Sequence, residues 1–247
     1  MKKIFLYILT IVFVLSISPN EAENNAKGYI SALKGNAQKR KTDDYQWLEA
    51  KLKMDVEGRD ILRTLPKSFA EIALLAGTRI RLAPKTIVNM VKLYEETENK
   101  RITKMEVQKG EIWGNVNKKG ENEVFQFEST AISSSVVGTI FRIINTHEDG
   151  SIIKVYKGEV EVKGVIKKDD EKGKKYKIEK PREIEGPKEI EGPKEVTMEE
   201  WTLIVKEMME LEVNKNGEIV NYRKIKREKK GEWYNWNKER DEEIDTK

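Results

Sequence analysis

The sequence predicts a mainly β fold, and three observations point to it. From Gly28 to about Val162 the chain runs as short segments rich in Val, Ile, Thr and aromatic residues, separated by turn residues at close intervals. Within those segments large apolar side chains alternate with small or charged ones, which is the period of a strand with one face inward and one toward water. No long apolar stripe at helical spacing precedes residue 190; the nearest approach is Asp44 to Met54, where Trp47, Leu48, Leu52 and Met54 form the face of an expected helix.

The chain opens on Met1-Lys2-Lys3 and an apolar run from Ile4 to Ile17, interrupted only by Thr10 and Ser16 and followed by Pro19, Asn20 and Glu21. A basic start, a short apolar stretch and then small and polar residues make a secretory signal peptide over residues 1–22, since a membrane span needs about 20 apolar residues. Cleavage near Ala22 leaves no stable membrane span, and the expected location is exported, periplasmic or extracellular. The β segments follow. Ala70-Glu71-Ile72-Ala73-Leu74 and Arg79-Ile80-Arg81-Leu82 alternate on either side of the Ala76-Gly77 turn. Val124-Phe125-Gln126-Phe127-Glu128, Ile140-Phe141-Arg142-Ile143 and Ile152 to Tyr156 continue the pattern, and Lys157-Gly158 turns into Val160-Glu161-Val162. Ala83-Pro84, Lys109-Gly110, Lys119-Gly120 and Asp149-Gly150 mark further turns. About eight to twelve strands are expected.

Residues 164–196 are dense in charge and contain Pro181, Pro187 and Pro193, as expected of a linker. Arg182-Glu183-Ile184-Glu185-Gly186-Pro187 is repeated as Lys188-Glu189-Ile190-Glu191-Gly192-Pro193, an imperfect six-residue repeat read as a local duplication in an extended arm. Thr197-Met198-Glu199-Glu200 has the form of a capping box, and Trp201, Ile204 or Val205, Met208 and Leu211 follow at spacings of three and four. Residues 197–222 are therefore expected to form a capped helix and a hairpin, the hairpin turning at Asn214-Lys215-Asn216-Gly217. Residues 223–247 are a charged aromatic tail: basic from Arg223 to Lys230, aromatic at Trp233, Tyr234 and Trp236, and acidic from Asp241 to Asp245.

Composition removes most chemistry. The 247 residues carry 47 Lys+Arg against 43 Asp+Glu, a net charge of +4, with one His and no Cys. Balanced charge argues against nucleic acid as partner, and the missing Cys and single His exclude thiolate zinc, iron–sulfur and multi-His sites. His147 lies in a polar run between strand-like segments and reads as a turn residue. Ser133-Ser134-Ser135 lacks the glycines of a nucleophile elbow, and Asp169-Asp170-Glu171 lacks the spacing of a calcium loop. The expectation is no catalytic, cofactor-binding or metal residues, and no enzyme. One cluster stands out as a candidate binding site: Trp233, Tyr234 and Trp236, a stacking platform for a glycan or peptidoglycan strand, a contact with a membrane surface beside the basic run, or rings that pack on the β domain.

At the β segments the wording becomes specific. Gly28-Tyr29-Ile30 with Gly35; Asp60-Ile61-Leu62-Arg63-Thr64 before Ser68; Gly77 through Thr86; Gly110-Glu111-Ile112-Trp113; Phe125 through Ala131; and Val137-Gly138-Thr139-Ile140-Phe141-Arg142-Ile143 to Val155-Tyr156-Lys157-Gly158-Glu159-Val160-Glu161-Val162 together resemble the FecR domain over residues 28–163. The resemblance implies short strands coiled in a roll-like or solenoid-like stack, and no catalytic centre. The best-known members carry a signal from an outer-membrane transporter to a cytoplasmic sigma factor, with a cytoplasmic segment ahead of a membrane span. Here only Met1-Lys2-Lys3 precedes the apolar run, so the expected form is an exported stand-alone FecR-type protein that binds an envelope protein or, alternatively, a glycan.

Overall fold

The computed structural model describes residues 28–97, 99–117, 122–146, 148–165, 201–226 and 231–245. The expected signal peptide, His147, the linker beyond Val165 with its repeat, and the capping box lie outside these. Among the described residues seventeen strands form one continuous sheet that folds over on itself into two layers. The strands are β1 (Gly28–Lys34), β2 (Ala37–Lys41), β3 (Leu48–Glu49), β4 (Asp55–Val56), β5 (Asp60–Thr64), β6 (Phe69–Ala73), β7 (Arg79–Leu82), β8 (Ile87–Glu96) and β9 (Arg101–Asn115). They continue as β10 (Glu123–Glu128), β11 (Ile132–Val136), β12 (Ile140–Asn145), β13 (Gly150–Lys157), β14 (Val160–Gly164), β15 (Thr202–Val205), β16 (Met209–Asn214) and β17 (Ile219–Lys224), followed by the one α-helix among the described residues, α1 (Glu232–Asp245).

The first layer runs β3-β2-β5-β8-β9-β10-β11-β14-β15. The second runs β4-β1-β6-β7-β9-β12-β13-β16-β17. Strand β9 belongs to both: residues 101–109 pair with β8 in the first layer, and residues 110–115 pair with β7 and β12 in the second. The crossing point is Gly110, whose φ of +91° is open to glycine, and where a Cβ would come within 2.7 Å of the Thr86 Cα. Pairing is antiparallel except between β9 and β10.

The inward residues of the two layers make the core. Ile30, Ile72, Ile80, Leu82, Ile112, Phe141, Ile143, Ile153 and Val155 come from the second layer, and Leu62, Val88, Met105, Val107, Phe127, Val136 and Val162 from the first; all are buried. Phe127 and Phe141 meet edge to face across the gap with centroids 4.9 Å apart. At the turn before β14, Gly158 has a φ of +85°, and a Cβ there would lie 2.9 Å from the Gly138 carbonyl oxygen.

Three expectations change. Asp44 to Met54 is not helical: Leu48–Glu49 pairs with β2 as β3, and the Trp47 ring packs against the guanidinium groups of Arg40 and Arg63, at 5.0 and 3.9 Å. Residues 201–211 are not a helix either. Thr202–Val205 pairs with β14, Val205 facing Val160, and Met209–Asn214 pairs with β13, so that Leu211 and Val213 alternate into the core. Tertiary pairing of a β-branched run wins over a spacing that also fits a helix. Residues 28–164 carry fourteen strands rather than eight to twelve, because β3 and β4 are pairs of residues too short to read. The hairpin stands where its turn sequence puts it, as β16 and β17. Among the described residues no helix is long and apolar enough to cross a membrane.

Candidate functional site

The outward face of the second layer is where the sequence's leftover charges meet. Successive strands place Glu71, Arg81, Trp113, Arg142, Lys154, Glu210 and Arg223 directly opposite one another, so a single row of polar side chains crosses seven strands. Alternation sends these side chains outward while their neighbours fill the core. Helix α1 lies over one end of the row.

Taken alone, α1 is a poor helix. It is 14 residues long, near the limit for an isolated helix in water. Its last turn carries acidic residues and no basic one, which opposes the helix dipole. What it does have is a face: Trp233, Trp236, Asn237, Arg240, Asp241 and Ile244 recur at spacings of three and four, and of these Asn237 and Asp241 are buried. Docking on the sheet holds it.

The N-terminal half of α1 makes the aromatic part of the contact. Phe69 on β6 packs against Trp233 at 5.3 Å and Trp236 at 5.4 Å, the two indoles stack on each other at 5.7 Å, and the Trp233 indole N–H donates to Glu111. Trp113 stacks on Tyr156 at 4.6 Å, and Tyr234 meets Trp113 edge-on at 6.0 Å. Lys238 holds its ammonium about equally far from all three of these rings, 5.8 to 6.0 Å. Of the three aromatic residues the sequence singles out, Trp233 and Trp236 stack on each other over Phe69, while Tyr234 turns to Trp113. The structure gives each ring a packing partner on the β domain.

The C-terminal half makes the ionic part. Arg81, fully buried, donates from Nε to Glu71 at 2.7 Å and from Nη1 to Asp241 at 2.7 Å and to the Asn237 carbonyl at 3.2 Å. Asp241 also accepts from the Trp113 indole and from the Asn115 amide, each at 3.0 Å. Glu71 accepts from Arg240 Nε and Nη2 at 2.8 and 2.9 Å and from the Ser31 hydroxyl at 2.6 Å. Burial pushes the Glu71 carboxyl up, but the hydrogen bonds from Arg240, Arg81 and Ser31 outweigh it and hold it down at about 2. The bond to Glu71 in turn raises the Arg240 pKa. Two buried polar atoms in this contact have no hydrogen-bond partner: Arg81 Nη2 and Asn237 Oδ1.

Sequence reasoning missed Glu71, Arg81, Trp113 and Asp241. Alternation assigned Glu71 and Arg81 to the outward face, but nothing in the spacing says that a helix 160 residues away covers them. The available signal was that the outward face holds a Trp and two opposite charges at one register, an unusual combination for a surface meant only for water.

Comparison with curated proteins finds no match. Among solved structures, two crystal structures of a proposed anti-sigma factor from Parabacteroides distasonis ATCC 8503, at 1.65 and 2.50 Å resolution, are similar at 19% identity and a TM-score of 0.43. The alignment covers 66% of this chain and 59% of that one, so it spans less than two thirds of the other protein. The stretch from β5 to β14, which supplies Glu71, Arg81, Trp113, Arg142 and Lys154 to the row, matches the family model described as FecR protein over residues 60–161.

Proposed function

We propose that this protein is an exported signalling or scaffolding module of the FecR type, with no catalytic activity of its own, that acts by binding another protein of the cell envelope. The observation that carries the reading is the outward face of its FecR domain. There, buried charges are arranged in complementary pairs around aromatic rings, which is an arrangement for recognising a polypeptide surface. Export is supported by the apolar run from Ile4 to Ile17 behind Lys2 and Lys3.

The test is to express the full chain with a C-terminal tag in its source organism, fractionate the cells, sequence the mature N-terminus and cross-link in situ. The expected outcome is a chain lacking the residues before about Ala22, found outside the cytoplasm and cross-linked to a specific envelope protein. An uncleaved cytoplasmic chain sinks the export reading, and cross-linking that recovers no specific protein sinks the binding reading.

A further inference from the structure

The outward face of the second layer receives α1, yet α1 does not satisfy it. Arg81 Nη2 is buried against α1 without an acceptor, and Asn237 Oδ1 is buried against the sheet without a donor. Each such atom has given up its water without gaining a partner, which disfavours this arrangement against one that pairs it. Among the described residues α1 is held through side chains and one backbone carbonyl, that of Asn237, with no strand pairing to the sheet. The row of charges also continues past Trp113 through Arg142, Lys154, Glu210 and Arg223, so that it carries more cationic than anionic groups.

We propose that this face is a docking site for an acidic amphipathic helix of a partner protein, and that α1 occupies it in cis as a displaceable stand-in. The partner helix carries aromatic residues three positions apart, as Trp233 and Trp236 are in α1, and a carboxylate about eight positions from the first, as Asp241 is. It differs from α1 in supplying an acceptor to Arg81 Nη2, so that the guanidinium fork is fully used. A second copy of this chain is the poorer occupant. Its α1 would leave the same two atoms unpaired and would compete against an identical helix held at high effective concentration by its own tether. The proposal rests on the reading that the protein works by binding another protein, and it names the surface and the chemistry of that partner.

The probe is a fluorescein-labelled peptide of residues 231–245, titrated by anisotropy against the full chain. Wild type should bind it weakly, because α1 competes. The full-length variant Trp233→Ala/Trp236→Ala, whose own helix is loosened, should bind it at least about 10-fold more tightly. Adding Arg81→Gln should reverse that gain. Trp113→Phe, which keeps an aromatic ring but removes the N–H to Asp241 together with part of the indole, should lower peptide affinity about 3- to 10-fold in a chain that remains folded by circular dichroism. A peptide carrying Asp241→Ala should fail to compete. Equal binding by wild type and the loosened variant overturns the docking site, as does binding that ignores both Arg81→Gln and Trp113→Phe. A wild-type chain found as a dimer with exchanged helices, cross-linked from Lys34 of one copy to Glu232 of the other, overturns the partner in favour of self-association. A specific envelope partner recovered alongside a flat titration overturns this site and leaves the binding function standing; the expected titration without any partner overturns the binding function.

Discussion

Arg81 on β7 and Asp241 on α1 are 160 positions apart in the chain and meet at 2.7 Å, with the Arg81 side chain wholly out of solvent and that of Asp241 8% exposed. A buried pair of this kind adds little over apolar packing, but removing one member strands the other. Arg81→Ala is expected to destabilise the fold by about 3–5 kcal/mol, because it leaves Glu71 and Asp241 without their shared cation. Asp241→Ala should cost less, since Arg81 keeps Glu71. In a double-mutant cycle read by urea denaturation, the two should be non-additive by about 1–3 kcal/mol. Additive losses would mean that the pair is not coupled.

The same cluster makes helix docking sensitive to acid. Glu71 titrates at about 2 in the folded chain against 4.5 ordinarily, so the folded state favours its charged form. The resulting stabilisation, on the order of 3 kcal/mol at most, is fully present above about pH 4.5 and is lost as pH falls toward 2. Tryptophan fluorescence, with Trp113, Trp233 and Trp236 all in the contact, should report α1 loosening through that window. Glu71→Gln should flatten the dependence there, and an unchanged pH profile in that variant would assign the transition to other groups.

How far the sequence revealed this arrangement follows from what each signal measures. Period-two alternation identified Ile72, Ile80, Phe141 and Val155 as inward, and placed Glu71, Arg81 and Arg142 on the opposite face, because which face a side chain takes is a local property of a strand. What covers that face is not local. Helix α1 escaped notice because half of its docking surface is Asn237, Arg240 and Asp241, which register as polar and so erase the apolar stripe by which helices are recognised. The error over residues 201–211 has the opposite origin. Ile204, Met208 and Leu211 happen to fall at helical spacing, but Ile204 and Met208 are about half exposed, and the pairing of Val205 with Val160 decides the conformation.

Tyr94 offers a test of how the two layers are joined. Its ring is buried at the end of β8, and its hydroxyl accepts a hydrogen bond from the Leu75 amide in the short 3₁₀ turn Leu75–Gly77. Burial pushes its pKa up to about 12, from 10.0, against a smaller lowering by the Leu75 N–H. The neutral phenol is thus favoured in the folded chain, so the stability it contributes is intact below pH 10 and lost as pH rises through about 12. Spectrophotometric titration should find one tyrosine ionising late. Tyr94→Phe should remove that phase and cost about 1–3 kcal/mol by stranding the Leu75 amide. A late phase that survives the substitution would belong to another tyrosine.

Gly114 tests the packing of β9 against β12. A Cβ built there overlaps one edge of the Phe141 ring, with Cδ1 at 3.1 Å and Cε1 and Cζ closer still. Phe141 has no room to retreat, since it is fully buried and its far side meets Phe127. Gly114→Ala should therefore destabilise by about 1–3 kcal/mol, the usual range for overpacking a filled core, and Phe141→Leu should relieve part of that loss when the two are combined. Gly58→Ala is the control. The nearest atom to a Cβ at Gly58 is the Leu93 amide nitrogen at 3.7 Å, an ordinary contact. That substitution should be neutral or stabilise by up to about 1 kcal/mol through the unfolded state. If thermal melts shift equally for both alanines, the close approach of β9 to Phe141 is not what makes glycine necessary at position 114.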